Sequence, residues 1–354
     1  MLSDQIYGVT AGGTMAHAWV QTFDTQYDAF RAYCEIYPDN PVLLVDTYNT
    51  LKSGVPNAIQ AFKEVLVPQG IRDFGIRLDS GDLAYLTRQA RKMLDEAGYP
   101  NIEIIAKLNG SDILPGGVAP EILAASAKEL EKVGVAMITV NAGGGLTRLE
   151  GMSGDGHRAE GWKVPLAEIV KAAVSIPVAA SGNLKHPPYV DSIIKDGRCD
   201  LVALGRTTIA DPYWVSKCAA GREDLIRYCL SCMHCIYAQP RKECGCTMNP
   251  RCRRESFVPE IESLPKVGNG RKVMVIGAGP AGCAAAIALA QRGFKPIICE
   301  KADYIGGMML VAGMPIGKQE FQYGIGYYMN MLKELKVEAR LNTCLLYTSP
   351  SPRD

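Results

Sequence analysis

The sequence has almost no net charge: 38 Lys and Arg oppose 37 Asp and Glu, leaving +1. A polyanion such as nucleic acid, or an anionic membrane surface, is therefore not an implied partner. No basic and apolar leader with a small-residue cleavage site opens the chain, so a secretory route is not expected. No internal repeat or low-complexity tract is evident. The one stretch open to confusion with a membrane span is 273–290, with 18 uncharged residues. Its length is near the lower limit for crossing a bilayer, but four of its residues are Gly or Pro, and no span is expected. What remains is a chain of 354 residues, 47% hydrophobic and 21% charged, the composition of a soluble globular protein of two or three domains.

Seven short β-branched runs alternate with amphipathic stretches over the first 210 residues. The predicted strands are 8–10, 42–46, 74–79, 102–108, 136–140, 176–181 and 200–204. Helical patterns such as 83–97 and 120–133 lie between them. Alternation at this spacing predicts an α/β fold of parallel units, one short of a closed eight-unit barrel. Polar clusters follow the strands at Asp79-Ser80-Gly81-Asp82, Asn109-Gly110-Ser111-Asp112, Ser181-Gly182-Asn183 and Gly205-Arg206. Each alone is ordinary turn chemistry; four on one rim favour a site.

Of 12 cysteines, seven crowd into 218–252. A secreted disulfide framework spreads its pairs, so the crowding predicts a metal site in a reducing, cytoplasmic compartment. Cys229, Cys232 and Cys235 stand at two successive two-residue spacings, and Cys244 and Cys246 follow. Three close thiolates and a distant fourth suit a 4Fe–4S cluster. Two cysteine pairs also suit zinc in a non-catalytic module, which stays open on spacing alone. Further on, Lys272 to Ile276 is a β-branched strand, and Gly277, Gly279 and Gly282 then lead into an Ala-rich helix. Glu300 follows a second strand, 18 residues past the last glycine. That order predicts a dinucleotide fold with the pyrophosphate at the helix N-terminus and Glu300 on the ribose, FAD being favoured.

The cysteine segment, with its fourth ligand ahead of Asn249-Pro250, resembles the iron–sulfur loop of the enoate reductase and trimethylamine dehydrogenase family. The runs IIAKLNGSD, VAASG and DLVALGRTTIADP, in that order before the cysteines, are similar to the last strands of the old-yellow-enzyme barrel. The resemblance covers about 107–343 and is of the 2,4-dienoyl-CoA reductase type. It implies Cys229, Cys232, Cys235 and Cys246 as cluster ligands, with Cys244 an alternative fourth. It also implies Lys107 beside flavin N1 and O2, and backbone amides of Gly182, Asn183, Gly205 and Arg206 around the FMN phosphate. The implied relay runs from NAD(P)H through FAD and the cluster to FMN, and reduces an enoate or enoyl-CoA type small molecule.

The first hundred residues are different. Gly13-Thr14-Met15-Ala16-His17, Leu43-Leu44-Val45-Asp46-Thr47, Ser53 to Ala58 and Gly75 to Asp82 resemble nicotinate phosphoribosyltransferase. By that resemblance His17 is phosphorylated during ATP-coupled turnover, while Arg77 and Asp79 contact the phosphoribosyl diphosphate. The final CLLYTSPSPRD, Cys344 to Asp354, resembles a translated sequencing adapter. The expectation is a truncated chimera, inactive for either reaction and fused within about 102–107. Its parts are a transferase fragment (1–106), the C-terminal part of an FMN barrel (107–220) and a 4Fe–4S loop (221–257). A truncated Rossmann-like FAD domain (271–343) and a non-native tail (344–354) complete it.

Overall fold

A computed structural model describes residues 15–39, 41–143, 158–237 and 245–345. The chain divides into two compact units, 1–152 with 161–203, and 153–160 with 204–354.

The first unit is built on six parallel strands: β1 (Val42–Leu44), β2 (Gly75–Leu78), β3 (Glu103–Asn109), β4 (Met137–Asn141), β5 (Val178–Ala180) and β6 (Leu201–Val202). They pair in sequence order, β1 to β6. Consecutive parallel strands joined by helical crossovers form the wall of an incomplete (β/α) barrel, the fold class read from the sequence. The expected strand at 8–10 lies outside the described residues. The other six occur within about two residues of their predicted ends: β3 and β4 run one residue further, to Asn109 and Asn141, while β1, β2 and β5 stop short, so that Asp46, Asp79 and Ser181 fall past strand termini.

Local chemistry explains the crossovers. Helix α1 (Leu83–Glu96) starts where the Asp82 side chain accepts the Tyr85 N–H at 2.9 Å, satisfying an orphan donor of the first turn. It buries Thr87, Ala90 and Leu94, one stripe at helical spacing. The strands bury Leu43, Leu44, Ile76, Leu78, Ile104, Ala106, Ile138 and Val140. The expected fusion point falls inside β3, yet the ladder crosses it without a break. Gly75 to Leu78 pair with Glu103 to Ala106, and Ile105 to Asn109 pair with Met137 to Asn141.

The second unit carries the cysteine loop and a three-stranded parallel sheet: β7 (Lys272–Ile276), β8 (Lys295–Cys299) and β9 (Glu338–Arg340). Helices α2 (Pro280–Gln291) and α3 (Phe321–Glu334) are the crossovers. Ala278, Cys283, Ala286, Ile298, Ile325, Tyr328 and Leu332 form its core together with Leu230 and Met248 of the cysteine segment. Among the described residues no helix is long and apolar enough to cross a membrane; the run at 273–290 folds as strand, glycine turn and helix.

Candidate functional sites

Three sites take shape, each within one unit. The first lies past the ends of β1 and β2, beside Lys107 of β3. One oxygen of Asp46, Oδ2, accepts the Asp79 backbone N–H at 2.8 Å and the Ser80 hydroxyl at 2.7 Å. On Asp79, Oδ1 is 3.0 Å from His17 Nε2, while Oδ2 accepts from Arg77 Nη2 at 2.7 Å and lies 3.5 Å from Lys107 Nζ. The other His17 nitrogen, Nδ1, is 3.0 Å from Thr47 Oγ1. Burial raises the Asp46 carboxyl above its usual range. Burial works the same way on Asp79, but Lys107, Arg77 and His17 outweigh it and hold that carboxyl down at about 2.

The structure thus brings His17, Arg77 and Asp79 together. It adds Asp46, Thr47 and Lys107, which the sequence reading did not place there. The signal for Lys107 was strand register: Leu78 pairs with Ala106, so the next residues, Asp79 and Lys107, also stand side by side. A cavity of about 310 Å³ opens beside them, lined by Asp79, Ser80, Lys107, Asn109 and Ser126.

On the same unit, Gly182 and Asn183 follow β5 with φ of +121° and +59°. A side chain at Gly182 would collide with Lys163, whose Cγ is 2.8 Å from the Cβ position. Lys163 is buried and its ammonium donates to the Asn141 side chain. Sequence reasoning missed it because nothing in its local pattern marks a buried lysine.

The second site is the cysteine loop. Cys229, Cys232, Cys235 and Cys246 line one cavity with Arg206, Met233 and Thr247. Ser231 and Met233 both take left-handed backbone, φ +50° and +59°, which turns the loop around the sulfurs. The Ser231 N–H points at Cys229 Sγ, 3.4 Å away, and Cys232 Sγ is 3.2 Å from Thr247 Oγ1. Asn249 anchors the return segment through Nδ2 to the Ile209 carbonyl, 2.8 Å. Burial, with the neighbouring thiols of Cys229 and Cys232, pushes the Cys246 thiol up. Cys244, the alternative fourth ligand, lies outside the described residues.

Arg206 directs Nη1 to Met233 Sδ at 3.2 Å, and Asp211 binds Lys217 at 2.5 Å. Gly205 begins the helical turn Gly205–Ala210.

The third site is the glycine turn between β7 and α2. Gly277 has φ +95°. A Cβ on Gly282 would fall 1.9 Å from the Gly277 carbonyl oxygen, so only glycine lets helix and strand approach this closely. Gly279 is the N-cap of α2, in extended backbone. Glu300 accepts the N–H groups of Ala278 at 2.7 Å and Ala302 at 2.9 Å. Those two bonds, Ala302's first, lower its carboxyl below the usual range. Glu300 therefore sits beside the glycine turn, its carboxylate bound to the backbone N–H of that turn.

With this geometry in hand, the relatives are informative. Residues 115–225 match the NADH:flavin oxidoreductase / NADH oxidase family, and residues 272–340 match the FAD dependent oxidoreductase family. An NADH oxidase of Thermoanaerobacter brockii is 35% identical over 255 residues, 70% of this chain and 38% of that protein. The chain thus spans well under half the length of that relative. A structure of 2-naphthoyl-CoA reductase in complex with 2-naphthoyl-CoA superposes with a TM-score of 0.72 at 23% identity. It covers 83% of this chain and 48% of the other, a likeness of fold. The nicotinate phosphoribosyltransferase of Bacillus subtilis is 53% identical over 100 residues, 28% of this chain and 20% of that enzyme. Both resemblances therefore hold: the chain is similar to flavin- and FAD-dependent oxidoreductases over one part and to nicotinate phosphoribosyltransferase over another.

Proposed function

We propose that the chain carries the FMN-side, cluster and FAD-side elements of an NAD(P)H-dependent flavin oxidoreductase acting on an enoate or enoyl-CoA type alkene. The observation that carries this reading is the cavity lined by Cys229, Cys232, Cys235 and Cys246, within the span similar to those enzymes. When bound, the flavins and a 4Fe–4S cluster would supply the passage of electrons from nicotinamide to alkene, the cluster in single steps. The four thiolates hold the cluster, and the Ser231 N–H steadies charge on the Cys229 sulfur. Backbone amides at Gly182 and Asn183, and at Gly205 and Arg206, serve the FMN phosphate. Gly277, Gly279 and Gly282 admit the FAD pyrophosphate, and Glu300 turns from Ala278 to the ribose. In this reading the chain joins two coding sequences within about 102–107, with a non-native tail from Cys344, and its domains run as the sequence predicts.

This polypeptide alone is expected to reduce no alkene. Lys107, assigned to the flavin, is committed to the Asp79 carboxylate 3.5 Å away. The test is oxygen-free loading with iron and sulfide. A brown protein holding about four irons, with a broad visible sulfur-to-iron band, is expected; zinc uptake without colour would favour the non-catalytic module instead.

A second reading, a nicotinate phosphoribosyltransferase fragment, is favoured by the contact of His17 Nε2 with Asp79. Acid-labile phosphate on His17 after exposure to ATP would support it, and none after exhaustive incubation would remove it.

A further inference from the structure

We propose that Thr247 is a positioning residue for the iron–sulfur cluster: its hydroxyl donates a hydrogen bond to the Cys232 sulfur and thereby raises the reduction potential of the cluster. The inference rests on the four-cysteine reading above and deepens it, by assigning control of the potential to a side chain outside the ligand set. Thr247 Oγ1 is 3.2 Å from Cys232 Sγ. While the cysteine is a free thiol, either atom could give the proton. A sulfur that ligates iron is a thiolate and has none to give. On loading, therefore, only the threonine can donate. A hydrogen bond to an ionised sulfur is of the charge-assisted, stronger kind.

The sulfurs differ in what faces them. Cys229 Sγ meets the Ser231 N–H at 3.4 Å. Burial disfavours the ionised form of Cys246, while the N–H groups of Asn249 and Met248 favour it. Both sulfurs thus draw on main chain, whose donors follow the path of the loop and outlast any side-chain replacement. Cys232 faces a side-chain hydroxyl instead. Thr247 directly follows the ligand Cys246, so the segment that delivers the fourth sulfur also carries the donor for the second. The anchors of that segment lie elsewhere: Met248 and Asn249 are buried, and Asn249 holds the Ile209 carbonyl at 2.8 Å. Thr247 itself is exposed, and its hydroxyl can be removed without opening the core.

The sign follows from charge. Reduction adds one electron and increases the negative charge on the sulfur ligands. A donor on one of those sulfurs stabilises the reduced form more than the oxidised form, and its loss lowers the potential. Between two flavins that potential decides how readily an electron is accepted, so Thr247 bears on the relay through Cys232.

The test compares the full chain with Thr247→Val and Thr247→Ser, each loaded with iron and sulfide without oxygen. Iron content and the visible band report loading. A dithionite titration followed by electron paramagnetic resonance reports the midpoint. Valine keeps the shape of threonine and lacks the hydroxyl. Thr247→Val should hold the same iron with its midpoint lowered by about 59 mV, a tenfold change in a one-electron equilibrium. Thr247→Ser, which keeps the donor, should restore the wild-type midpoint. Equal midpoints in wild type and Thr247→Val overturn the proposal and leave the ligand set standing. A serine variant as low as the valine variant also overturns it, because shape would then be the cause. No iron in the wild type removes the cluster reading and this inference together. Should Thr247→Val fail to hold iron, Thr247→Ala and Thr247→Ser decide, with alanine expected below the wild type and serine level with it.

Discussion

The cysteine loop and the histidine–aspartate cluster are both dense in ligands, and they are built in opposite ways. In the loop, Cys229, Cys232 and Cys235 are near neighbours in sequence, and left-handed Ser231 and Met233 fold them onto one cavity. In the cluster, Asp46, Asp79 and Lys107 come from three distant segments brought together by the register of β1, β2 and β3, and His17 joins them from the short helix His17–Val20. Local spacing makes the first kind of site; sheet pairing makes the second. The first should therefore fail by loss of a ligand, the second by loss of the fold around it.

The largest expected effect tests that contrast directly. Cys232→Ser, or the same change at Cys229, Cys235 or Cys246, should abolish iron retention after oxygen-free loading and leave the far-ultraviolet spectrum unchanged. Cys252→Ser should retain the full iron content. Equal iron in all five variants would remove the assigned ligand set.

Asp79→Ala should produce the opposite pattern. Its carboxylate is 8% exposed and faces Arg77, Lys107 and His17. Breaking one partner out of a buried ionic cluster costs about 3–5 kcal/mol, and Arg77 is itself only 20% exposed. The urea midpoint should fall sharply. Lys107→Ala, on a side chain 36% exposed, should cost under about 1 kcal/mol. A harmless Asp79→Ala would mean the cluster is not held by charge.

The glycine turn sharpens the comparison from a third position. Gly282→Ala would set a methyl group 1.9 Å from a backbone oxygen, which cannot rotate away. A loss of about 1–3 kcal/mol is expected, the range of overpacked cores. Gly279→Ala, which meets nothing within 4 Å, is the control and should be near neutral. Thermal melts of both variants would separate close packing from mere flexibility.

How much was legible in the sequence follows the same division. Strand positions, the glycine turn and Glu300 were readable because each is written in contiguous residues with a fixed period or spacing. The barrel wall was readable for the same reason, from alternation of strand and helix. The junction of Lys107 with Asp79 was not, since it depends on which residues of β2 and β3 face each other. Lys163, buried against Gly182 and the Asn141 side chain, was hidden because burial of a lysine has no local signature.

Glu300 provides the smallest and cleanest test, because its carboxyl is held by backbone alone. The N–H groups of Ala302 and Ala278 favour its ionised form, so its folded value lies below the unfolded one. A group depressed in this way adds stability above its unfolded value, and that contribution disappears as pH falls through the folded value. Glu300→Gln removes the titrating group while keeping an acceptor for one N–H. Denaturant midpoints of the two proteins should differ modestly at neutral pH, in favour of Glu300, and converge under acid conditions below the carboxylate range. A difference that persists unchanged in acid would mean that shape, not charge, is what Glu300 brings to the turn. FAD binding to the glycine turn would then be expected to tolerate glutamine there.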